Sequence, residues 1–315
     1  MRVGQNPAKS IDNVPQPHTI TVALAVYIPF LKGYYAESLE VLKVCLNSIW
    51  ENTSLPYDLL VFDNDSCSEV KEYLLDAHEK NLIQYLLLSD KNIGKGGAWN
   101  FIFQGAPGEI IAYTDSDVYF YPRWLNTSIE ILDAFPNAGM VTSRPMRTPE
   151  KYFSSTLEWA NEHPEVTVES GQFLSWNIDR EHTLSLGVSE EQARKWYDSG
   201  LDWKLTRDGV SSHLGAAHFQ FITKKSLIQQ FLPLELDRPM GQVRLFDKLI
   251  NEAGYLRLTT CEPLVKHLGN KVESYLFDQR KSDDHSNMKR FINNPIIKRS
   301  LLGIYNLIFR LYFKY

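Results

Sequence analysis

The sequence predicts an α/β fold, a doubly wound and mostly parallel sheet with helices on both faces. Three observations predict it. Continuous apolar runs rich in β-branched residues recur, as in "TITVALAVYIPF" (19–30) and "YDLLVFDND" (57–65), the pattern of strands buried on both faces. Between them lie stretches with apolar residues at steps of three and four, such as Leu39, Leu42, Leu46 and Ile49 in "SLEVLKVCLNSIWENT" (38–53), which makes an amphipathic helix. The two kinds of segment alternate from residue 19 to about 135.

After a polar leader (1–18) holding Pro15 and Pro17, strand 19–30 leads to helix 38–53 and strand 57–65. Helix 68–81 follows, with Ser68 as a candidate cap, then strand 82–90. "GKGGAWNFIFQGA" (94–106) is a helix entered through glycines, "EIIAYTDSD" (109–117) a fourth strand and "WLNTSIEILDAF" (124–135) a helix. Periodicity weakens over about 143–212, an expected insertion with two or three short helices. Strand then helix resumes at 216–232. A helix from 242 stops at Gly254 before a strand to 260, and the last 20 residues form a C-terminal amphipathic helix.

Composition narrows the function. A net charge of -5 argues against a generic nucleic-acid binder, which carries a basic excess. Three scattered cysteines, Cys45, Cys67 and Cys261, fit neither metal-ligand spacing nor a disulfide framework and match a reducing compartment. The start has no apolar run of a signal peptide, and no segment offers the roughly 18 apolar residues of a spanning helix. The expected location is therefore the cytoplasm.

Two Asp-x-Asp pairs, Asp63/Asp65 and Asp115/Asp117, each follow a buried strand. Ligands in such sheets bind beyond the carboxyl ends of the strands. An isolated Asp-x-Asp is a common solvated turn. At a strand end, though, paired carboxylates also suit Mg²⁺ or Mn²⁺, whose open positions a substrate diphosphate fills. The glycines of "KNIGKGGAWN" (91–100) allow close backbone approach, but the run lacks both the dinucleotide fingerprint and the Gly-Lys-Ser/Thr of a phosphate loop.

Taken in order, strand one, "FDND", "NIGKGGAWN" and "IAYTDSD" resemble the family 2 glycosyltransferases of the GT-A fold. The resemblance covers 19–135 and resumes at 213–270, so that 19–270 reads as one GT-A domain and 271–315 as a tail. It implies that Pro29 with its neighbours and Asp63 meet the base and ribose of a nucleotide. It further assigns Asn92, Gly94, Gly97 and Asn100 to the family's Asn-x-Gly…Asn element. Asp115 and Asp117 would hold the metal and donor diphosphate, with His267 completing the metal shell. The implied activity is metal-dependent, inverting transfer of a sugar from a nucleotide-diphosphate sugar to a hydroxyl of a glycan or lipid-linked acceptor, as in polysaccharide biosynthesis.

One departure stands out. The family's acidic pair before Gly-Tyr, whose Asp is the catalytic base, is replaced by Gln242 and Val243. Asp247 is taken as the base, with Asp237 and Glu235 as alternatives. His213 and His218 flank "LGAA", the loop the resemblance places on the acceptor side, in packing or polar-surface roles, and tryptophans of the insertion are candidates for stacking on a sugar. Two other readings stay open, a nucleotidyltransferase and a catalytically inactive sugar-binding member of the fold. In 296–315 a narrow basic stripe, Arg299, Arg310 and Lys314, interrupts a wide apolar arc. That suits an in-plane helix at the inner face of the cytoplasmic membrane, or one docked on the protein itself or on a dimer partner.

Overall fold

The computed structural model describes residues 4–235 and 242–272. Residues 1–272 group as one compact unit. The alternation expected from the sequence is present: β1 (Ile20–Val26), α1 (Ser38–Asn52), β2 (Asp58–Asn64), α2 (Ser68–Glu79), β3 (Tyr85–Ser89), α3 (Gly94–Gly105), β4 (Ile110–Asp115), β5 (Val118–Phe120), α4 (Trp124–Ala134) and β6 (Ala138–Thr142). β1 and β2 are buried almost throughout, which is why they lack alternation. β3, β2, β1 and β4 lie side by side and parallel. The register sets Val26 beside Asp63 and Ala25 beside Asp115, so the carboxyl ends of three strands share one edge.

Beyond β6 the chain forms α5 (Ser154–Glu162), β7 (Thr167–Gly171), α6 (Trp176–Ser185), α7 (Glu190–Ser199), β8 (Asp202–Arg207), β9 (Val210–Leu214), β10 (Gln220–Lys224), α8 (Lys225–Ile228), α9 (Gln242–Glu252), β11 (Leu256–Thr259) and β12 (Val265–His267). β10 runs antiparallel between β4 and β6, and β11 runs parallel to β6. In the series β3-β2-β1-β4-β10-β6-β11, every strand but β10 therefore points the same way. β5 and β12 form a separate antiparallel pair.

The insertion differs from expectation. Its three helices are there, but so are β7, β8 and β9, an antiparallel meander that joins β11 and extends the sheet to ten strands. These strands are short and half exposed, so no apolar run marks them. Asp208 and Gly209 turn the β8–β9 hairpin at φ 51° and 81°, the Asp-Gly signal of a two-residue loop.

The sheet is packed on both faces. Leu42, Leu46, Ile49, Trp124 and Leu125 fill one side, under α1 and α4. Trp99, Phe103, Tyr113, Phe221 and Phe246 fill the other, between α3, the sheet and α9. Among the described residues no helix is long and apolar enough to cross a membrane. The helix expected over 296–315 lies outside the described residues, as does Asp237.

Candidate functional site

A cavity of about 310 Å³ opens at the shared strand edge, walled by Tyr27, Tyr35, Asn64, Asn92, Lys95, Tyr113, Asp115 and Asp117 among others. A second, of about 210 Å³, shares Tyr27, Tyr35 and Asp117 with it and adds Tyr34, Gly269 and Asn270. Of the stretch expected to meet the nucleotide, Tyr27 and Ile28 reach these walls. Pro29, half-buried, is not among the lining residues.

The acidic turn is held from three sides. The Asp115 amide donates to the Phe219 carbonyl, in the segment leading into β10, at 2.7 Å. The Tyr113 hydroxyl donates to the Asp115 carboxylate at 2.7 Å, and Lys95 Nζ lies 2.6 Å from the same carboxylate. Burial, with the charge and hydrogen bond of Asp115, holds the Tyr113 phenol far above its ordinary pKa, so it stays a donor. Asp117 has its own partner, His267 Nε2 at 3.3 Å. The β5–β12 pair exists at this point to bring them together: His267 lies opposite Val118, and the Leu268 amide donates to the Asp117 carbonyl at 2.7 Å. Burial alone would lower the His267 pKa, but the hydrogen bond His267 donates to Asp117 and the charges of Asp117 and Asp115 outweigh it and raise it. Each carboxylate of the like-charged pair thus faces a protein cation or a group that becomes one.

Asn64, Asn92 and the glycines build the loop that aims Lys95. Asn64 accepts from the Ile93 amide at 2.9 Å and donates to Asn92 at 3.0 Å, while Asn92 accepts from the Gly94 amide at 2.8 Å. Gly94 has φ +72°, a left-handed conformation that favours glycine, and a Cβ on Gly97 would meet Ile93 Cγ1 at 2.9 Å. Lys95 itself, quoted in the motif but given no role there, lies 5.3 Å from the Trp99 ring centre and completes the wall. A lysine between glycines at the first turn of a helix is the signal that could have found it.

Asp63, expected to meet the nucleotide, is fully buried and lines neither cavity. One carboxylate oxygen accepts from the Ser66 amide at 3.3 Å, the other has no hydrogen-bond partner, and burial raises the pKa. Asn100 needs correction: both ends of its amide are bound to the Leu234 backbone, at 3.0 and 2.7 Å, so it tethers the 232–235 turn and does not face the cavity. Asp247 also departs from its expected role as a free base. It is buried, with one oxygen 2.8 Å from Arg257 Nη2 and the other 3.1 Å from His218 Nδ1. Glu235 is exposed at the described end of its turn. In the insertion, Trp176 packs against Tyr197 and Arg194 and is absent from the two cavity walls.

Aspartate oxygens and an imidazole nitrogen are a donor set that suits Mn²⁺ or Mg²⁺. Among the described residues, however, no three such side chains converge as a metal cluster. Asp117 and His267 are the adjoining pair, while Asp115 is turned to Lys95. The residues fit a cation whose remaining ligands come from a substrate.

His182 packs behind this site, 5.5 Å from the Phe219 ring centre, with its Nδ1 buried and unpartnered. Burial, then the charges of Arg144 and His267, push its pKa from 6.5 to about 3. The unfolded chain therefore binds a proton first, and His182 should erode stability as pH falls from about 6.5 towards 3, by up to about 1.4 kcal/mol per pH unit. His267 acts oppositely: its raised pKa contributes stability below about 6.5 that is lost as pH rises through the folded value. His182→Phe should flatten the loss of urea midpoint between pH 6 and 4; an unchanged slope would refute the assignment.

The family model described as glycosyl transferase family 2 matches residues 28–187. The chain is 23% identical over 183 residues to the chondroitin synthase of Escherichia coli, a match covering 54% of this chain and 26% of that one. It thus spans about a quarter of that relative's length. Among solved structures it is similar to S. aureus TarS 1-349 in complex with UDP-GlcNAc, at 12% identity and TM-score 0.47, over 84% of this chain and 62% of that chain. It is also similar to a Pyrobaculum calidifontis mannosyltransferase in complex with GDP-Man and Mn2+, at 17% identity and TM-score 0.44, over 80% and 57%.

Proposed function

The chain belongs to glycosyl transferase family 2, and from that premise we propose that it transfers a sugar from a nucleotide-diphosphate sugar to an acceptor hydroxyl, with inversion. The observation that supports this most is the pairing at one strand edge: Lys95 with Asp115 and His267 with Asp117, beside a cavity walled by Tyr27, Tyr35, Asn64 and Asn92.

The nucleoside lies along Tyr27, Tyr35 and Asn64 at the end of β2, all of which wall the cavity. The diphosphate reaches the first turn of α3, whose positive dipole favours an anion, and Lys95 moves from Asp115 to a phosphate oxygen. A divalent cation held by Asp117 and His267, with Asp115 close by, would supply charge neutralisation at the diphosphate. Lys95 and the helix N-terminus stabilise the negative charge that grows on the leaving group, while the acceptor hydroxyl adds to the anomeric carbon from the opposite side. The acceptor is a glycan or lipid-linked saccharide, and a peripheral membrane contact through 296–315 belongs to the same proposal.

EDTA is expected to abolish nucleotide release from the donor, and Mn²⁺ or Mg²⁺ to restore it. Full activity in EDTA would leave Lys95 as the cation of the site and remove the metal from the scheme. The reading of an inactive sugar-binding member rests on the missing acidic pair at Gln242 and Val243. Nucleoside diphosphate release by purified protein excludes it, and pyrophosphate release from a nucleoside triphosphate would instead point to nucleotidyl transfer.

A further inference from the structure

We propose that His218 is the general base of the transfer, oriented by Asp247, and that it stands in for the carboxylate missing at 242–243; the inference rests on the transferase reading above. Asp247 cannot meet an acceptor itself, because its oxygens are bound to Arg257 at 2.8 Å and His218 at 3.1 Å. A carboxylate only accepts hydrogen bonds, so the contact fixes the proton of His218 on Nδ1 and leaves the lone pair on Nε2. No described residue bonds Nε2, and the side chain is 34% exposed while that of Asp247 is 10% and that of Arg257 is 0%. A polar chain thus runs from the core outwards and ends in a basic nitrogen.

The segment carrying His218 is pinned on either side of it. The Gly215 amide donates to the Arg257 carbonyl at 2.9 Å, and Arg257 Nη2 donates to the Ala216 carbonyl at 2.6 Å. Ala217 exchanges two hydrogen bonds with Thr142 Oγ1, at 2.8 and 3.2 Å. Phe219 accepts from the Asp115 amide at 2.7 Å. His218 is therefore held one residue from a direct backbone link to the acidic turn, on the sheet edge where the donor's diphosphate is proposed to lie. An imidazole oriented by a carboxylate is a common form of general base.

The step balances. Nε2 takes the proton of the acceptor hydroxyl as that oxygen bonds the anomeric carbon. The bond from the anomeric carbon to the diphosphate oxygen breaks, and its electron pair leaves with the nucleoside diphosphate. Asp247 faces the imidazolium that results.

The test uses the full chain with UDP-N-acetylglucosamine and GDP-mannose as donors and a panel of saccharides as acceptors, reading nucleotide release. His218→Asn, which keeps a donor towards Asp247 but has no basic nitrogen, should lower kcat by about 10²–10⁴-fold with the donor KM and the melting temperature near wild type. In His218→Ala, added imidazole should recover part of the rate, which a packing role would not allow. A His218→Asn rate within about threefold of wild type, far short of what losing a base costs, overturns the proposal, as does an imidazole-insensitive His218→Ala whose donor KM has risen. Wild-type protein inert with every donor would instead sink the transferase reading and this inference together, so the two failures are told apart.

Discussion

Asp115→Asn and Asp117→Asn are each expected to stop turnover while leaving the protein folded. Neither side chain is part of the packed core; they are 27% and 30% exposed. Ion pairs at such exposure contribute about 0–1 kcal/mol to stability, and removing one of two like charges offsets part of even that. Catalysis is a different matter. The Asp115 carboxylate receives both the Tyr113 hydroxyl and the Lys95 ammonium, and Asp117 is the described side-chain partner of His267 Nε2. Losing either charge disorders the cation arrangement at the diphosphate, where a single preorganised electrostatic group is worth about 10²–10³-fold in rate. Nucleotide release and the thermal melt should therefore separate: rates down at least about 10²-fold, melting temperature within a few degrees. Wild-type rates in both variants would place the site elsewhere in the molecule.

How far such sites can be read from sequence depends on whether the partners are neighbours along the chain. β1, β2 and β4 announce themselves because strands covered on both faces must be apolar throughout, and the carboxylates follow where the backbone leaves the sheet. Gly94 is legible because only its left-handed dihedral lets the loop close on Asn92. The meander β7–β9 is not, since half-exposed strands mix Glu169, Lys204 and Arg207 with few apolar residues and look like loop. Asn100 fits a motif by spacing, yet its amide is spent on Leu234, 134 residues away. Nothing along the chain marks Arg257 as a core residue. The structure buries it completely, because β9 covers the far side of β11 and α9 brings Asp247 to meet it. The base proposed here was hidden for the same reason: His218 and Asp247 lie 29 residues apart and belong to elements that meet only after the sheet has formed.

Arg257→Met is expected to cost about 3–5 kcal/mol, the range for breaking a buried ion pair by removing one partner. Arg257 has no exposed side-chain surface, and its guanidinium donates to Asp247 at 2.8 Å, Ala216 O at 2.6 Å and Tyr152 O at 2.7 Å. Burial lowers its pKa and the Asp247 charge raises it again, with burial the larger effect. Methionine fills much of the volume but leaves one oxygen of the buried Asp247 carboxylate and two carbonyls without their donor. The urea midpoint should drop clearly, with a fall in melting temperature on the order of 10 °C. Arg257→Lys should not rescue it, since one ammonium cannot span three acceptors in the plane of a guanidinium. The double variant Arg257→Met/Asp247→Leu should be more stable than Arg257→Met alone, because it no longer buries an uncompensated charge. It should nonetheless stay inactive, for Asp247 no longer orients His218. A double variant no more stable than Arg257→Met would mean that Arg257 acts through the Ala216 and Tyr152 carbonyls, and that its pairing with Asp247 adds little to the fold.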